Sequence, residues 1–516
     1  MFSTNPATMN RTAFLCSAIL IPLASSFAAS GQEDKKPPSR PNIVFVLADD
    51  MRSDAMSCAG NPLLKTPNLD RLATEGMLFN NAFVTTSICA VSRASILTGQ
   101  YARRHGVNDF QKPISDLKAT YPGILRASGY HTGFIGKWGV AALNREYLQR
   151  SAEAFDFWAG DMDQSAYWHE RTCNYITNNG TGDRVNFFCS CPSANRPSGG
   201  VVGDKPDPAL KDPVHAETEF IPAKIRSFLD QRATDKPFCL SVSLKSPHAP
   251  WGGYARRFAQ DFEGLAVPRA ASVSMDEARR QPKFLQETLE SDRGLRLVQC
   301  ADDLDGERNQ WLRQYYRLIQ GLDFCMGELL QELDRRGLAS NTVVIFTSDN
   351  GHFFGEHGFF GKWLMHEESI RVPMIVYDPR VAAAQRGQTC GEMVLNIDVA
   401  PTILEAAGLP VPPAMQGQSL LPLLRDPAQP FRDSFFYEHL YGHGPKPPTH
   451  IERSEGVRTR DWKYTLYVDQ AGPEREELYD MRDDPLEMKN LARDPERQDL
   501  LQQLRQQHSQ FTADLK

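Results

Sequence analysis

The chain has 516 residues, with 57 Lys and Arg against 64 Asp and Glu and a formal net charge of −7. No basic stretch offsets that balance, which argues against a nucleic-acid binder and leaves a polyanionic substrate possible only where cations are concentrated locally. At this length one large α/β domain and a smaller one can each bury a core.

In chain order, Arg11, an apolar stretch over 12–24 and a small-x-small site at Ser26-Phe27-Ala28 read as a signal peptide spanning 1–28. The apolar core is too short to span a bilayer, so no stable membrane anchor is expected. A polar, Pro-rich leader follows over 29–40, and the mature protein is expected to be exported, periplasmic or extracellular. Apolar runs at 42–47, 131–135, 238–244, 342–347 and 373–377 predict strands, and periodic stretches at 69–75, 92–97, 219–231, 310–336 and 399–407 predict helices. This alternation predicts a doubly wound sheet over 41–424, with residues 160–215 as a Gly/Pro/Asn-rich loop excursion above its active edge. From 425 to 516 the pattern changes to short antiparallel strands (435–437, 457–459, 463–468, 478–479) and a terminal helix over 498–511, a second, smaller domain.

Export bears on the cysteines. Of ten, Cys16 falls in the signal and Cys89 stands apart, leaving eight that could pair in an oxidising compartment. His169, Cys173, Cys189 and Cys191 could also hold zinc, but disulfides or free thiols are the favoured reading in such an insert.

Two of the strand-like runs stop at carboxylates. Asn42-Ile43-Val44-Phe45-Val46-Leu47-Ala48 leads into Asp49-Asp50, and Thr342-Val343-Val344-Ile345-Phe346-Thr347-Ser348 into Asp349-Asn350-Gly351. Either pair alone is a common turn. Together they offer only oxygen ligands, which suits calcium or magnesium rather than zinc. Between them Cys89 precedes a predicted helix whose first turn carries Ser92 and Arg93, so free amides and a guanidinium would face an anion. A lone cysteine is usually a small buried hydrophobe, and a polar, helix-capping one in an exported chain is not explained by composition alone.

Cys89-Ala90-Val91-Ser92-Arg93 with Leu97-Thr98-Gly99 resembles the signature of the type I sulfatases, in the alkaline phosphatase superfamily. The resemblance extends in order through Gly136-Lys137-Trp138, Ser246-Pro247-His248-Ala249-Pro250-Trp251, Ser348-Asp349-Asn350-Gly351, Gly355-Glu356-His357-Gly358 with Lys362, Arg371-Val372-Pro373 and Leu478-Tyr479-Asp480. It implies an alkaline phosphatase-like α/β sandwich: a large mixed, mostly parallel sheet flanked by helices, plus a small C-terminal α+β domain with a short antiparallel sheet lining the substrate pocket. It also implies that Cys89 is converted to formylglycine by a formylglycine-generating maturation enzyme, and that Asp49, Asp50, Cys89, Asp349 and Asn350 surround one calcium ion. Arg93, Lys137 and Lys362 would stabilise charge on the nucleophile and the sulfate, and His248 would protonate the leaving alcohol.

The chain departs from the pattern at Val91, where the family usually has Pro or Ala, and at Gly139, where it commonly has His. The first bears on maturation and the second on release of sulfate from the intermediate, for which His352 is a substitute candidate. Gln164 or Ser165 lies where a further sulfate contact is expected. His352, Glu438, His439, His450 and Arg453, with Arg458, are the expected substrate-binding residues, a polar set that suits a sugar. The expectation is an exported, calcium-dependent sulfatase acting on a sulfated carbohydrate. A phosphonate or phosphate monoester hydrolase, or a non-catalytic sulfoglycan-binding homologue, are the alternatives.

Overall fold

A computed structural model of the chain describes residues 40–141, 144–161, 166–171, 201–202, 205–206, 210–442 and 450–515. The expectations for the signal peptide and leader, and for Gln164, Ser165, Cys173, Cys189 and Cys191, lie outside these residues.

Nine strands build the main sheet. They are β1 (Asn42–Ala48), β2 (Met77–Phe83), β3 (His131–Lys137), β4 (Phe157–Asp161), β5 (Phe238–Ser243), β6 (Thr342–Ser348), β7 (Arg371–Val372), β8 (Met374–Tyr377) and β9 (Gln388–Leu395). The spatial order is β4-β3-β5-β1-β6-β8-β2-β7, with β9 also paired to β2. β1 lies between β5 and β6, parallel to both, and β3 continues the parallel run into β4. β8 pairs antiparallel with β6 and β2, and β7 antiparallel with β2. The sheet is therefore mixed and mostly parallel, as the resemblance implies. β1 and β6 are buried at every position, as strands covered on both faces must be.

The helices that matter for the site are α1 (Pro67–Glu75), α2 (Cys89–Thr98), α3 (Tyr121–Ala127), α4 (Ile221–Gln231), α5 (Leu289–Gln299), α6 (Glu307–Arg335) and α7 (Val399–Ala406). α2 begins at Cys89 itself, not three residues later. Ile88 is its extended N-cap, and Gly99, at φ 66°, ends it with its N–H on the Ser95 carbonyl. All ten residues of α2 are buried. The long α6 buries Leu312, Tyr315, Ile319, Leu322, Met326, Leu329 and Leu333 at helical spacing. It also reaches the site: the Tyr315 hydroxyl donates to the Asp50 carbonyl at 2.8 Å and accepts the Arg52 N–H at 3.0 Å.

A second, four-stranded antiparallel sheet follows, of β10 (Ser434–His439), β11 (Ser454–Thr459), β12 (Trp462–Tyr467) and β13 (Glu476–Asp480), backed by α8 (Gln498–Asp514). Phe435, Phe436, Val457 and Leu478 of this sheet belong to the same hydrophobic cluster as Ile43, Phe83 and Leu97. The Phe83 and Phe435 rings meet at 5.0 Å, a pair worth about 0.5–1.5 kcal/mol beyond area burial. Residues 40–516 thus form one unit, and the change of character near residue 425 marks a change of sheet rather than of core. The six described cysteines, Cys58, Cys89, Cys239, Cys300, Cys325 and Cys390, are free thiols. Among the described residues no helix is long and apolar enough to cross a membrane.

Candidate active site

Register places the chemistry. Ala48 of β1 pairs with Ser348 of β6, Leu47 of β1 with Ser243 of β5, and Gly136 of β3 with Ser243 as well. The residues that leave these four adjacent parallel strands are therefore neighbours: Lys137 from β3, the Lys245–His248 turn from β5, Asp49-Asp50 from β1 and Asp349-Asn350 from β6. This is the carboxyl edge of an open α/β sheet, where ligands bind. Asp50 turns there with φ 62°, a left-handed conformation that costs a non-glycine residue on the order of 1–3 kcal/mol. Its N–H on Asp349 Oδ1 (3.2 Å) and its carbonyl under Tyr315 hold it in place.

Around Cys89 the charges interlock. Lys362 Nζ lies 2.8 Å from Cys89 Sγ and contacts Asp50 Oδ1, while Lys137 Nζ is 2.5 Å from Asp49 Oδ2. Arg93 donates through Nε to Asp349 Oδ2 and through Nη1 to the Lys137 carbonyl, both at 2.8 Å, and its Nη2 forms an ion pair with the same Asp349 oxygen at 2.8 Å. A contact from Arg93 to the Ser243 hydroxyl completes its cradle. Three carboxylates thus face three fixed cations, and all six side chains are buried. Burial would raise Asp49, but Lys137, His248, Arg93 and Lys362 outweigh it and hold the carboxyl well below its usual range. For Asp349, burial and then the Asp49 charge win, pushing it up to about 6. Burial, then Asp49, pushes the Cys89 thiol up, so the thiolate is disfavoured.

A hard divalent cation fits this donor set. Ligand atoms of Asp49, Asp50, Cys89 and His248 lie within 4.8 Å of one another. Asn350 donates through Nδ2 to Asp50 Oδ1 at 2.5 Å, which leaves its Oδ1 buried with no hydrogen-bond partner. An oriented, unsatisfied amide oxygen beside crowded carboxylates is what an oxygen-liganded ion requires.

The centre meets, through Asp50 and Lys362, a cleft of about 440 Å³ that is also lined by His248, His352, Phe110, Phe360, Trp363, Tyr441, Glu290 and Arg293 among others. His248 is partly exposed there. Its Nδ1 donates to the Ala249 carbonyl at 2.7 Å, which leaves Nε2 facing Asp50 Oδ2 at 3.6 Å. His352 stands edge-on to Trp251 and Phe360, its pKa lowered to about 4 by burial. Under the aromatic wall, Val91 is fully buried with Ile88 and Ala102, against Phe110, Trp363 and Tyr441. Gly139 sits at φ 75°, and a Cβ there would come within 2.8 Å of Arg93 Cδ and 3.3 Å of Lys137 Cε. A side chain at this position would press on both cations.

The structure turns five of the six expected substrate contacts elsewhere. Glu438 is fully buried and holds Arg103 through its backbone N–H and Nε, both at 2.9 Å. His439 is buried edge-on to Trp363 at 5.8 Å. His450 pairs with Glu452 at 3.1 Å and Arg453 with Asp469, while Arg458 pairs with Glu367 at 3.2 Å. Only His352 of that set lines the cleft. Glu438, His439 and Arg458 are on the buried strands β10 and β11, whereas His450 and Arg453 lie on the chain before β11 and pair with neighbouring carboxylates. His169 is also interior, stacked 4.5 Å over Phe220. Sequence reasoning missed Ser243, Glu290, Arg293 and the aromatic wall. Trp363, directly after Lys362, was the one visible pointer to it.

A mixed α/β sheet with an oxygen-rich, cation-lined centre at its carboxyl edge defines an alkaline phosphatase-like hydrolase. The sulfatase family model matches residues 41–409, and a second model, N-sulphoglucosamine sulphohydrolase C-terminal, matches 355–514. The chain is 30% identical to an N-acetylglucosamine-6-O-sulfatase of Bacteroides thetaiotaomicron, over 92% of this chain and 87% of the relative. It is 29% identical to the multifunctional alkaline phosphatase superfamily protein PehA of Trinickia caryophylli, over 89% and 92%. The solved structure of BT4656 in complex with its substrate D-glucosamine-2-N,6-O-disulfate superposes with a TM-score of 0.72 at 29% identity, covering 92% of this chain and 98% of that one. The chain belongs to the sulfatase family and is a sulfuric ester hydrolase.

Proposed function

We propose that this protein is an exported, calcium-dependent sulfatase that cleaves a sulfate ester of a carbohydrate through a formylglycine made from Cys89. The observation that carries the reading is the placement of Cys89: first residue of a buried helix, its Sγ 2.8 Å from the ammonium of Lys362, a residue that lines the cleft. A thiol whose pKa is raised by burial is a poor nucleophile as it stands, and conversion to formylglycine would supply an oxygen nucleophile at that point. A carbohydrate substrate is supported by the N-acetylglucosamine-6-O-sulfatase relative and by the sulfated glucosamine bound in the similar structure.

A calcium ion held by Asp49, Asp50, Asp349 and Asn350 would add two positive charges and draw electron density from a sulfate oxygen. The chain's own residues do the rest. Lys137 and Lys362 bring ammonium groups to the sulfate and neutralise charge that grows as the ester bond breaks. Arg93, clamped between Asp349, Ser243 and the Lys137 carbonyl, fixes the nucleophile's surroundings. Bonding of His248 Nδ1 to the Ala249 carbonyl orients Nε2 towards the cleft, where it can deliver a proton to the departing alcohol oxygen. The six fixed charges sum to zero, so a bound divalent cation leaves an excess of two. That suits a monoanionic sulfate ester and its dianionic product.

The test is production with a formylglycine-generating enzyme, peptide mass at Cys89, and sulfate release from sulfated sugars with and without a calcium chelator. Converted enzyme should release sulfate, and Cys89→Ala should drop to background, a loss of at least ~10³-fold. Retained hydrolysis in Cys89→Ala would sink the covalent route. Preference for a phosphonate monoester over the sulfate would move the protein to the alternative class.

A further inference from the structure

Helix α5 carries the side chains of the cleft that the reaction does not use. Glu290 and Arg293 stand three residues apart, on one face of the helix, and both line the cleft with Lys362 and His248. Glu290 is 4% exposed yet forms no ion pair among the described residues. Its hydrogen bonds run to the Thr288 side chain and its own backbone, and burial raises its pKa to about 7. Arg293 is exposed and likewise has no ion pair among the described residues. Its guanidinium lies 5.8 Å from the Phe360 ring centre, and Phe360 in turn stands edge-on to His352 at 5.0 Å. A charge held near an aromatic face and open to the cleft, with Glu290 acting on it electrostatically but not bonded to it, is placed to receive an anion.

The helix is also indexed to the reacting centre. A Cβ on Gly294 would fall 2.1 Å from the Gly358 carbonyl oxygen and 2.5 Å from the Phe359 carbonyl carbon. The two backbones therefore meet directly, and the chain that leaves this contact is Phe360-Gly361-Lys362-Trp363. Phe360 joins the rings of Trp251, Trp311 and His352, whereas Trp363 joins Phe110 and Tyr441. Lys362 lies between the two aromatic groups along the chain and points to Cys89. A sugar whose ester oxygen reaches Lys362 is thereby presented to α5.

We propose that α5 is the specificity element of the cleft, with Arg293 binding a second anionic group on the sulfated sugar or its neighbour and Glu290 accepting hydrogen bonds from that sugar's hydroxyls. This rests on the sulfatase reading and adds the substrate class to it: a saccharide with at least two anionic groups. A planar guanidinium takes a carboxylate or a sulfate in the same two-pronged way, so both sources are tested.

The experiment uses enzyme whose Cys89 conversion is confirmed by mass. Three probes are compared by kcat/KM: N-acetylglucosamine 6-sulfate with one anionic group, glucosamine 2-N,6-O-disulfate with a second sulfate, and a disaccharide joining the 6-sulfated sugar to a uronic acid. A probe that is not turned over is ranked by its competitive inhibition of 4-nitrophenyl sulfate hydrolysis, so each yields a number. One doubly anionic probe should exceed the singly charged one by roughly 10- to 100-fold, the worth of a charge-assisted contact, and which one identifies the anion. Arg293→Ala should bring that ratio close to one, Arg293→Lys should restore part of it, and Glu290→Gln should raise KM more than it lowers kcat. Equal use of all probes by the wild type, or a ratio untouched by Arg293→Ala, overturns the inference while leaving the sulfatase intact. If converted enzyme cleaves no sulfate ester, 4-nitrophenyl sulfate included, the sulfatase reading itself fails and takes this one with it.

Discussion

Two buried charge clusters share the segment 355–368, and they do different things. One gathers Asp49, Asp50 and Asp349 against Arg93, Lys137 and Lys362 at the sheet edge. The other gathers Glu277, Glu367, Glu368 and Glu487 against His357, Lys463 and Arg458, where the second sheet meets that segment. Lys463 on β12 is fully buried, 2.8 Å from both Glu367 and Glu487, and it also donates to the Met365 carbonyl. Charge density alone therefore does not mark the active centre. What separates the clusters is Cys89 and the neighbouring cleft on one side, and a seam between two sheets on the other.

Substitution of the matching lysines sharpens that contrast. Lys362→Ala should lower kcat by about 10²–10³-fold, the effect of removing one charge-stabilising donor, measured by sulfate release per folded molecule. Lys463→Met should instead cost about 3–5 kcal/mol of stability, because buried Glu487 loses its cation and Glu367 keeps only Arg458, with kcat/KM of the folded fraction within about twofold of wild type. Denaturant melts beside kinetics would break the comparison if Lys463→Met were stable but inactive.

A smaller effect tests the seam by pH. Burial lowers the His357 pKa, but Glu277, Glu368 and Glu487 together raise it from 6.5 to about 9. A folded-state pKa above the unfolded one stabilises fully below pH 6.5 and loses that contribution as pH rises through about 9. The Tm gap between wild type and His357→Gln should thus be widest in mildly acidic buffer and should narrow in alkaline buffer. A gap that widened with pH would mean that His357 is neutral in the fold.

The reacting centre was legible in the sequence because its residues follow apolar strands directly: β1 ends at Ala48 and β6 at Ser348, so the carboxylates fall at the sheet edge. β8 was legible as a strand at 373–377, but its antiparallel direction was not, since a buried strand's direction leaves no trace in its composition. β2 and β9, with polar and exposed positions among apolar ones, and the short β4 were not read as strands. The start of α2 was misplaced because Cys89-Ala90-Val91 lacks a side-chain cap, and Ile88 supplies only an extended backbone. Five of the polar residues expected at the cleft do not line it. Polar residues on late strands resemble a pocket lining until the sheet's second face is seen to be covered, whereas Glu290 and Arg293 sit on a helix with no motif of its own.

Val91 carries one more implication. In the folded protein it lies beneath Phe110, Trp363 and Tyr441, the aromatic wall of the cleft. Under the proposed maturation the same side chain belongs to the short segment that a modifying enzyme must read before folding closes over it. One valine then answers to two molecules at two moments in the protein's life, a visitor to the nascent chain and a sugar entering the finished cleft. Its replacement by a smaller or stiffer residue would be judged twice, once by how many chains mature and once by how well the mature ones hold their substrate.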